Sequence, residues 1–298
     1  MDLLTRIQIP KADFEIEAGQ KILLLGSCFA DEVGTKMKNG GFDALVNPFG
    51  TLYNPASIAA SLLRSISERE YTSNSDELIH DDIQNVWHSW MHHSKFSSES
   101  KEELIERLNA TTMQVSDFLR EADVLIITLG TAIIYRLKET GMLVANCHKQ
   151  LDSLFDRQRL SAYDIVDQWQ MLLQLLRSIN PKLNIIFTVS PIRHKRDGMH
   201  VNQISKGILL QAVDEIVATS RQHAPLGGWG ASYFPAYEIM LDELRDYRFY
   251  ADDMIHPSPL AVEYIWQRFQ DTYFSNKTKD TVAKATKAFA RSQHRQIV

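Results

Sequence analysis

Only two cysteines, Cys28 and Cys147, occur in 298 residues, too few for a disulfide framework in a chain of this length. Long apolar runs are missing too: the longest, near Ile22–Leu25 and Val124–Leu129, are strand-sized and fall far short of a membrane span. The first residues lack a basic stretch leading into an apolar one, so no signal peptide is apparent. A reducing cytoplasm is the expected compartment, where a thiol stays available for chemistry. Basic charge is not in excess: 32 Lys and Arg against 37 Asp and Glu leave a formal charge of −5, which argues against a nucleic-acid partner. Neither a P-loop nor Gly-x-Gly-x-x-Gly is present to cradle a nucleotide phosphate. His80, His88, His92 and His93 crowd together, and His88 and His92 have helical i, i+4 spacing. No third ligand at a telling distance accompanies them, so neither a metal nor another cofactor is expected.

What is there is an ordinary globular composition, 44% hydrophobic and 23% charged, laid out as alternating strands and helices. Apolar runs at Lys21–Leu25, Ala44–Val46, Val124–Leu129, Asn184–Val189 and Ala231–Phe234 have strand length and read as buried parallel strands. Between them lie helical patterns. Ile165, Trp169, Leu172, Leu173 and Leu176 recur at helical spacing over Ala162–Ile179, and Pro181 follows. A second stripe runs from Lys206 to Arg221, and Asn54 caps a helix from Pro55 to Ser67. The alternation predicts one α/β domain, a three-layer helix–sheet–helix sandwich around a central parallel sheet. Residues 68–109 interrupt this rhythm as an inserted helical and loop segment, rich in His and aromatics and placed to form a lid. From about residue 276 a C-terminal tail or appended helix is expected.

The segment with the most chemistry follows the first strand. Gly26-Ser27-Cys28-Phe29-Ala30-Asp31 passes from strand through a glycine into a helix. It presents a hydroxyl and a thiol at a helix N-terminus, where backbone N–H groups and the dipole favour a thiolate or an oxyanion. Far downstream, Asp253-Met254-Ile255-His256-Pro257 offers a carboxylate and an imidazole. Cys28, with Ser27 second, is the candidate nucleophile, His256 the general base and Asp253 its orienting acid, with Asp252 a local competitor. The bland alternatives are a small buried thiol and a helix-capping Asp beside a surface His. Turns at Asn47–Gly50, Leu129–Thr131 and Ser190–Pro191 should open on the same sheet edge as Cys28. His148, Arg193 and His194 are candidates for substrate contact, the last two for a carboxylate, phosphate or sugar hydroxyl.

Gly26-Ser27-Cys28-Phe29-Ala30 is also the signature of the GSCFA-domain proteins, and it resembles the first block of the SGNH/GDSL hydrolases. Asn47-Pro48-Phe49-Gly50-Thr51-Leu52-Tyr53-Asn54-Pro55, Ser190-Pro191-Ile192-Arg193-His194 and the Asp253–His256 block continue the likeness in order, from near Phe14 to near Tyr264. The resemblance implies an SGNH hydrolase-like fold with flavodoxin-like strand order, a bacterial source and a Cys/Ser-His-Asp triad. Laid glycine on glycine over the superfamily's Gly-Asp-Ser, Ser27 falls on the Asp and Cys28 on the nucleophile. The resemblance also implies oxyanion donors at the nucleophile's backbone and at Gly50. The superfamily's third block, Gly-x-Asn-Asp, reads Gly130-Thr131-Ala132-Ile133 here, so the Asn donor is absent. Thr131, Asn54 and Asn146 are candidates to replace it. The expected function is hydrolysis of an acyl ester, a carbohydrate ester among the candidates. An acyltransferase to a sugar hydroxyl, or a non-catalytic carbohydrate- or lipid-binding module, is the alternative. No membrane partner is expected, and the sequence does not reveal the oligomeric state.

Overall fold

The computed structural model describes residues 5–222 and 230–295. The chain enters the fold through β1 (Lys21–Gly26), α1 (Cys28–Asn39), β2 (Asp43–Val46) and α2 (Pro55–Ile66). A hairpin of β3 (Leu78–Asp81) and β4 (Val86–Ser89) follows, then α3 (Lys101–Glu121) and β5 (Val124–Leu129). A second antiparallel group, β6 (Ile133–Leu137), β7 (Leu143–Val144) and β8 (Phe155–Arg159), leads into α4 (Ala162–Ile179) and β9 (Asn184–Val189). The remaining elements are α5 (Met199–Gln222), β10 (Ala231–Phe234), the single turn α6 (Ala236–Glu238), α7 (Pro259–Tyr273) and α8 (Asn276–Arg295).

Five strands form one parallel sheet in the order β10-β9-β5-β1-β2. Counted in chain order among themselves this is 2-1-3-4-5, the flavodoxin-like arrangement. All five predicted runs are in it. Because strand side chains alternate, Leu23, Leu25, Leu125, Ile127, Ile185 and Phe187 meet α2, α3, α4 and α5 on one face. Ile22, Leu24, Ile126 and Ile186 meet α1, α7 and Val282 of α8 on the other. The leucine- and isoleucine-rich strands are therefore covered on both sides, which is why they read as continuous apolar runs.

Helix starts are set by local polar chemistry. Ser27, Asn54 and Ser258 cap α1, α2 and α7, with Pro55 and Pro259 at the first helical position. Ser161 and Asp164 form a capping box on α4. The stretch around residues 68–109 holds the β3/β4 hairpin and the start of α3, so it contains strands that its sequence did not suggest. The stretch after 276 is the helix α8 through Arg295. Near the start of the chain, Ile16 makes a parallel bridge to Phe274, and its N–H donates to the Tyr273 carbonyl at 2.8 Å.

Candidate active site

At the end of β1 the backbone turns sharply. Gly26 sits at φ +142°, and a Cβ there would lie 2.1 Å from the Thr128 carbonyl oxygen of the neighbouring strand. Only glycine fits so close a passage between strands. Ser27 is buried, and its Oγ accepts from the Phe29 N–H at 3.3 Å, which commits the hydroxyl to the helix cap. Cys28 is the first residue of α1 and is half-buried. Its N–H, at the first helical position, has no intrahelical acceptor. The Cys28 Sγ lies 3.6 Å from Tyr53 Oη, its hydrogen-bond partner among the described residues. Burial, and then the contact with Cys28, hold the Tyr53 phenol well above its ordinary pKa.

The turn after β2 is organised by Asn47, a buried residue at φ +40°. Its Oδ1 accepts from the Gly26 N–H at 2.9 Å, and its Nδ2 donates to Asp31 at 2.9 Å. Its carbonyl accepts from the Gly50 N–H at 2.8 Å and from Lys95 Nζ at 3.2 Å. Asn47 thus ties β1, α1, its own turn and the 68–109 stretch into one joint. In the sequence Asn47 stood as an Asn before Pro at a strand end and as the first residue of the second resembling block, with no role of its own assigned. Gly50 has φ +83°, and a Cβ there would sit 2.1 Å from the His93 Cβ. Its amide, expected as an oxyanion donor, is bonded to Asn47 instead.

The third block is likewise occupied. The N–H groups of Gly130 and Thr131 both donate to the Tyr53 carbonyl, at 2.7 and 3.0 Å. The Thr131 hydroxyl accepts from Ile133 N–H and bonds Ser205, whose Oγ accepts from Ala132 N–H at 2.6 Å. Asn54 Oδ1 caps α2 through the Ser57 N–H at 2.7 Å. Asn146 bonds Ser94 and the His148 N–H. His148 is buried, its Nε2 donating to the Ser89 carbonyl at 2.8 Å and its ring stacked on His88. Thr131, Asn54, Asn146 and His148 thus each make at least one hydrogen bond within the fold around the site.

On the other side, Asp253 and His256 form a pair. Asp253 Oδ2 accepts from His256 Nδ1 at 2.6 Å, and Oδ1 accepts from the Ile255 and His256 N–H groups, each at 2.9 Å. The His256 N–H first, and then its imidazole, hold the Asp253 carboxyl down to about 2. With Nδ1 donating to a carboxylate, neutral His256 carries its free lone pair on Nε2. Arg193 anchors this loop: its N–H donates to the Ile255 carbonyl at 3.3 Å, and its guanidinium lies 4.9 Å from the Tyr250 ring centre. Ile255 and Cys28 pack against the same apolar cluster.

His194 bridges the two sides. Its ring stands edge-on to Tyr53, at 86° and 5.5 Å between centres. Its Nε2 is buried with no hydrogen-bond partner among the described residues and lies 3.0 Å from where a Gly130 side chain would begin. Burial first, and then the Lys206 charge, lower its pKa to about 4; His256 also acts on it. Lys206 itself gave no signal in the sequence. It is buried on α5, its Nζ donates to the Ser190 carbonyl at 2.7 Å, and burial lowers its pKa to about 7. Among the described residues no three His, Cys, Asp or Glu side chains come together as metal ligands, and no helix is long and apolar enough to cross a membrane.

A doubly wound α/β sandwich with its sequence blocks gathered at the carboxyl edge of a parallel sheet is the class this architecture defines. The family model of the GSCFA family matches residues 21–269, and the chain belongs to that family. No curated protein sequence matches the chain. Solved structures of similar shape include an acetyl esterase variant with an acetate ion, 11% identical with a TM-score of 0.41 over 89% of this chain and 99% of the other. Another is a carbohydrate esterase family 3 protein from Talaromyces cellulolyticus, 11% identical with a TM-score of 0.37 over 89% and 99%. An acetyl xylan esterase from the rumen bacterium Butyrivibrio proteoclasticus is 12% identical with a TM-score of 0.41, over 85% of this chain and 63% of its own.

Proposed function

We propose that the protein is an acyl-ester hydrolase in which Cys28 is the nucleophile, His256 the general base and Asp253 the residue that orients and charges the base. The observation that carries this reading is the 2.6 Å Asp253–His256 bond, with its free Nε2, on the same sheet edge as a half-buried thiol at a helix N-terminus. Cys28 is favoured over Ser27 because the Ser27 hydroxyl is buried and already caps the helix. His256 Nε2 takes the thiol proton as Sγ attacks the carbonyl carbon. The tetrahedral intermediate collapses, the alkoxide leaves with that proton, and an acyl-thioester stays on Cys28. Water then gives a proton to His256 and adds to the thioester. Collapse expels the thiolate, which regains the proton as the carboxylic acid departs. Arg193 and His194, which follow β9, are the substrate contacts this reading proposes, and a carbohydrate ester is the substrate class their polar character suits.

The test is time-resolved hydrolysis of p-nitrophenyl acetate by wild type, Ser27→Ala, Cys28→Ala and His256→Ala. The expected result is a loss of about 1,000-fold or more in Cys28→Ala and in His256→Ala. Ser27→Ala should keep its rate while losing about 1 kcal/mol of stability as the cap is removed. Full activity in Cys28→Ala would discard the assignment.

A further inference from the structure

The third block of this chain lacks the asparagine that the resemblance implies at the oxyanion, and its backbone donors are engaged in other hydrogen bonds. Gly130 and Thr131 give their N–H groups to the Tyr53 carbonyl, Ala132 gives its own to Ser205, and Gly50 gives its amide to Asn47. Asn54 and Asn146 are held by a helix cap and by a loop. His194 Nε2 faces the Gly130 backbone. Two donors lie at Sγ itself: the Cys28 N–H, on the same residue, and the Tyr53 hydroxyl, 3.6 Å from the sulfur. An oxyanion formed on a carbon bonded to Sγ lies one C–S and one C–O bond away, within hydrogen-bond reach of that hydroxyl.

Resting on the reading of Cys28 as nucleophile, we infer that Tyr53 is a catalytic residue whose O–H donates to the oxyanion of the tetrahedral intermediate, in place of the missing third-block asparagine. The third block has changed its task. Where the superfamily pattern has it reach for the substrate, here its two N–H groups clamp the Tyr53 backbone, and the bare Gly130 leaves room for Tyr53 and His194 to stand against each other. The Tyr53 backbone and one side of its ring are thereby held, with the residue 39% exposed, and a donor held in place beforehand acts with little reorganisation. The phenol also keeps its proton, since burial raises its pKa.

The step balances without any added reagent. Sγ forms a bond to the carbonyl carbon as the C=O π pair moves to oxygen, and His256 holds the thiol proton. Tyr53 donates a hydrogen bond without giving up its proton, and the bond is released when the intermediate collapses.

The test separates a reaction that creates an oxyanion from one that does not. Wild type, Tyr53→Phe and Cys28→Ala are compared in two assays. In one, reversible adduct formation with trifluoroacetone, which places a tetrahedral oxyanion on the thiol, is read by fluorine NMR. In the other, alkylation by iodoacetamide, a displacement with no such oxyanion, is read by mass spectrometry. Tyr53→Phe is expected to weaken the adduct about 10- to 1,000-fold while Cys28 alkylates at an unchanged rate, with circular dichroism matching wild type. Equal losses in both assays would make Tyr53 a residue that merely sets the thiol, and would overturn the inference. So would an unchanged adduct, or a wild type that alkylates at Cys28 yet forms no adduct. An adduct that persists in Cys28→Ala would instead refute the nucleophile on which the inference rests.

Discussion

Cys28 is placed by groups from distant stretches of the chain, whereas His256 is placed largely by its own loop. On the Cys28 side, Gly26 passes within van der Waals reach of Thr128, Asn47 brackets Gly26 and Asp31, and Tyr53 is clamped by Gly130 and Thr131. Gly26, Asn47, Gly130 and Thr131 are buried, and the bonds of Asn47 and of the two amides satisfy polar atoms that burial would otherwise penalise, while Tyr53 itself is 39% exposed. On the His256 side, the bonds to Asp253 span only two or three residues, and both side chains are close to half exposed. A site built this way separates two tasks. The position of Cys28, the proposed nucleophile, is part of the stability of the sheet, while that of His256, the proposed base, is a local property that can vary without disturbing the core.

The largest effect that would break this contrast concerns Gly26. In Gly26→Ala the new methyl would meet the Thr128 carbonyl at 2.1 Å, with the backbone at a φ of +142°. We expect a loss of about 4 kcal/mol or more, measured by urea unfolding; a loss below about 1 kcal/mol would show the turn to be more pliant than its geometry.

Next comes acid. Burial lowers the pKa of His92 to about 3 and of His148 to about 4, both from an ordinary 6.5. They belong to the packing around residues 68–109, where Phe49, Tyr71 and Phe96 surround His92 and His88 stacks on His148. The unfolded chain binds more protons than the folded one between those values and 6.5. The contribution of neutral burial is therefore complete above about pH 6.5 and falls as pH drops, levelling off near pH 4 for His148 and near pH 3 for His92. Each histidine should cost on the order of 2 kcal/mol between about pH 6.5 and about pH 5. A stability measured by urea that stays flat from about pH 7 to about pH 5 would refute this.

The smallest effect on stability sharpens the contrast most. Asp253→Asn removes an exposed pair, so its melting temperature should stay within the shift expected for about 1 kcal/mol. Its turnover should nevertheless fall by about 1,000-fold or more, because an amide can neither charge the imidazole nor fix its tautomer. A parallel loss of stability and rate would mean that the loop is not a separable unit.

The central strands β1, β5 and β9 were legible because both faces of each are covered, which writes the burial into the sequence as runs rich in Leu, Ile and Val, while the edge strands Asp43–Val46 and Ala231–Phe234 are shorter and mixed. The β3/β4 hairpin was not, since Leu78-Ile79-His80-Asp81 and Val86-Trp87-His88-Ser89 mix histidines with apolar residues and have no clean alternation. β8, Phe155–Arg159, is mostly charged and exposed, and it is a strand only because β6 supplies the ladder. At the site, Cys28, Asp253 and His256 stood out as motifs, since their chemistry is visible in residue type and spacing. Gly50, Asn54, Thr131 and Asn146 also stood out, but the hydrogen bonds that commit each to its own turn are invisible in one dimension. Tyr53 lay inside a quoted block, yet its importance depends on an approach across the sheet edge to a residue 25 positions away. Lys206 was hidden for the opposite reason: a lysine in a helix reads as a solvent-facing residue until the fold buries it.

The bridge between Ile16 and Phe274 has a consequence for how the protein is made. The segment just before β1 has its partner just after α7, so translation delivers one side of that bridge long before the other. At about 5–20 residues per second the interval is on the order of tens of seconds. For most of it the ribosome-bound chain can already present Cys28 but not His256, the base proposed to activate it, which lies 18 residues before Phe274. Under that proposal the nascent thiol stays without its base until the loop that carries Asp253 and His256 emerges.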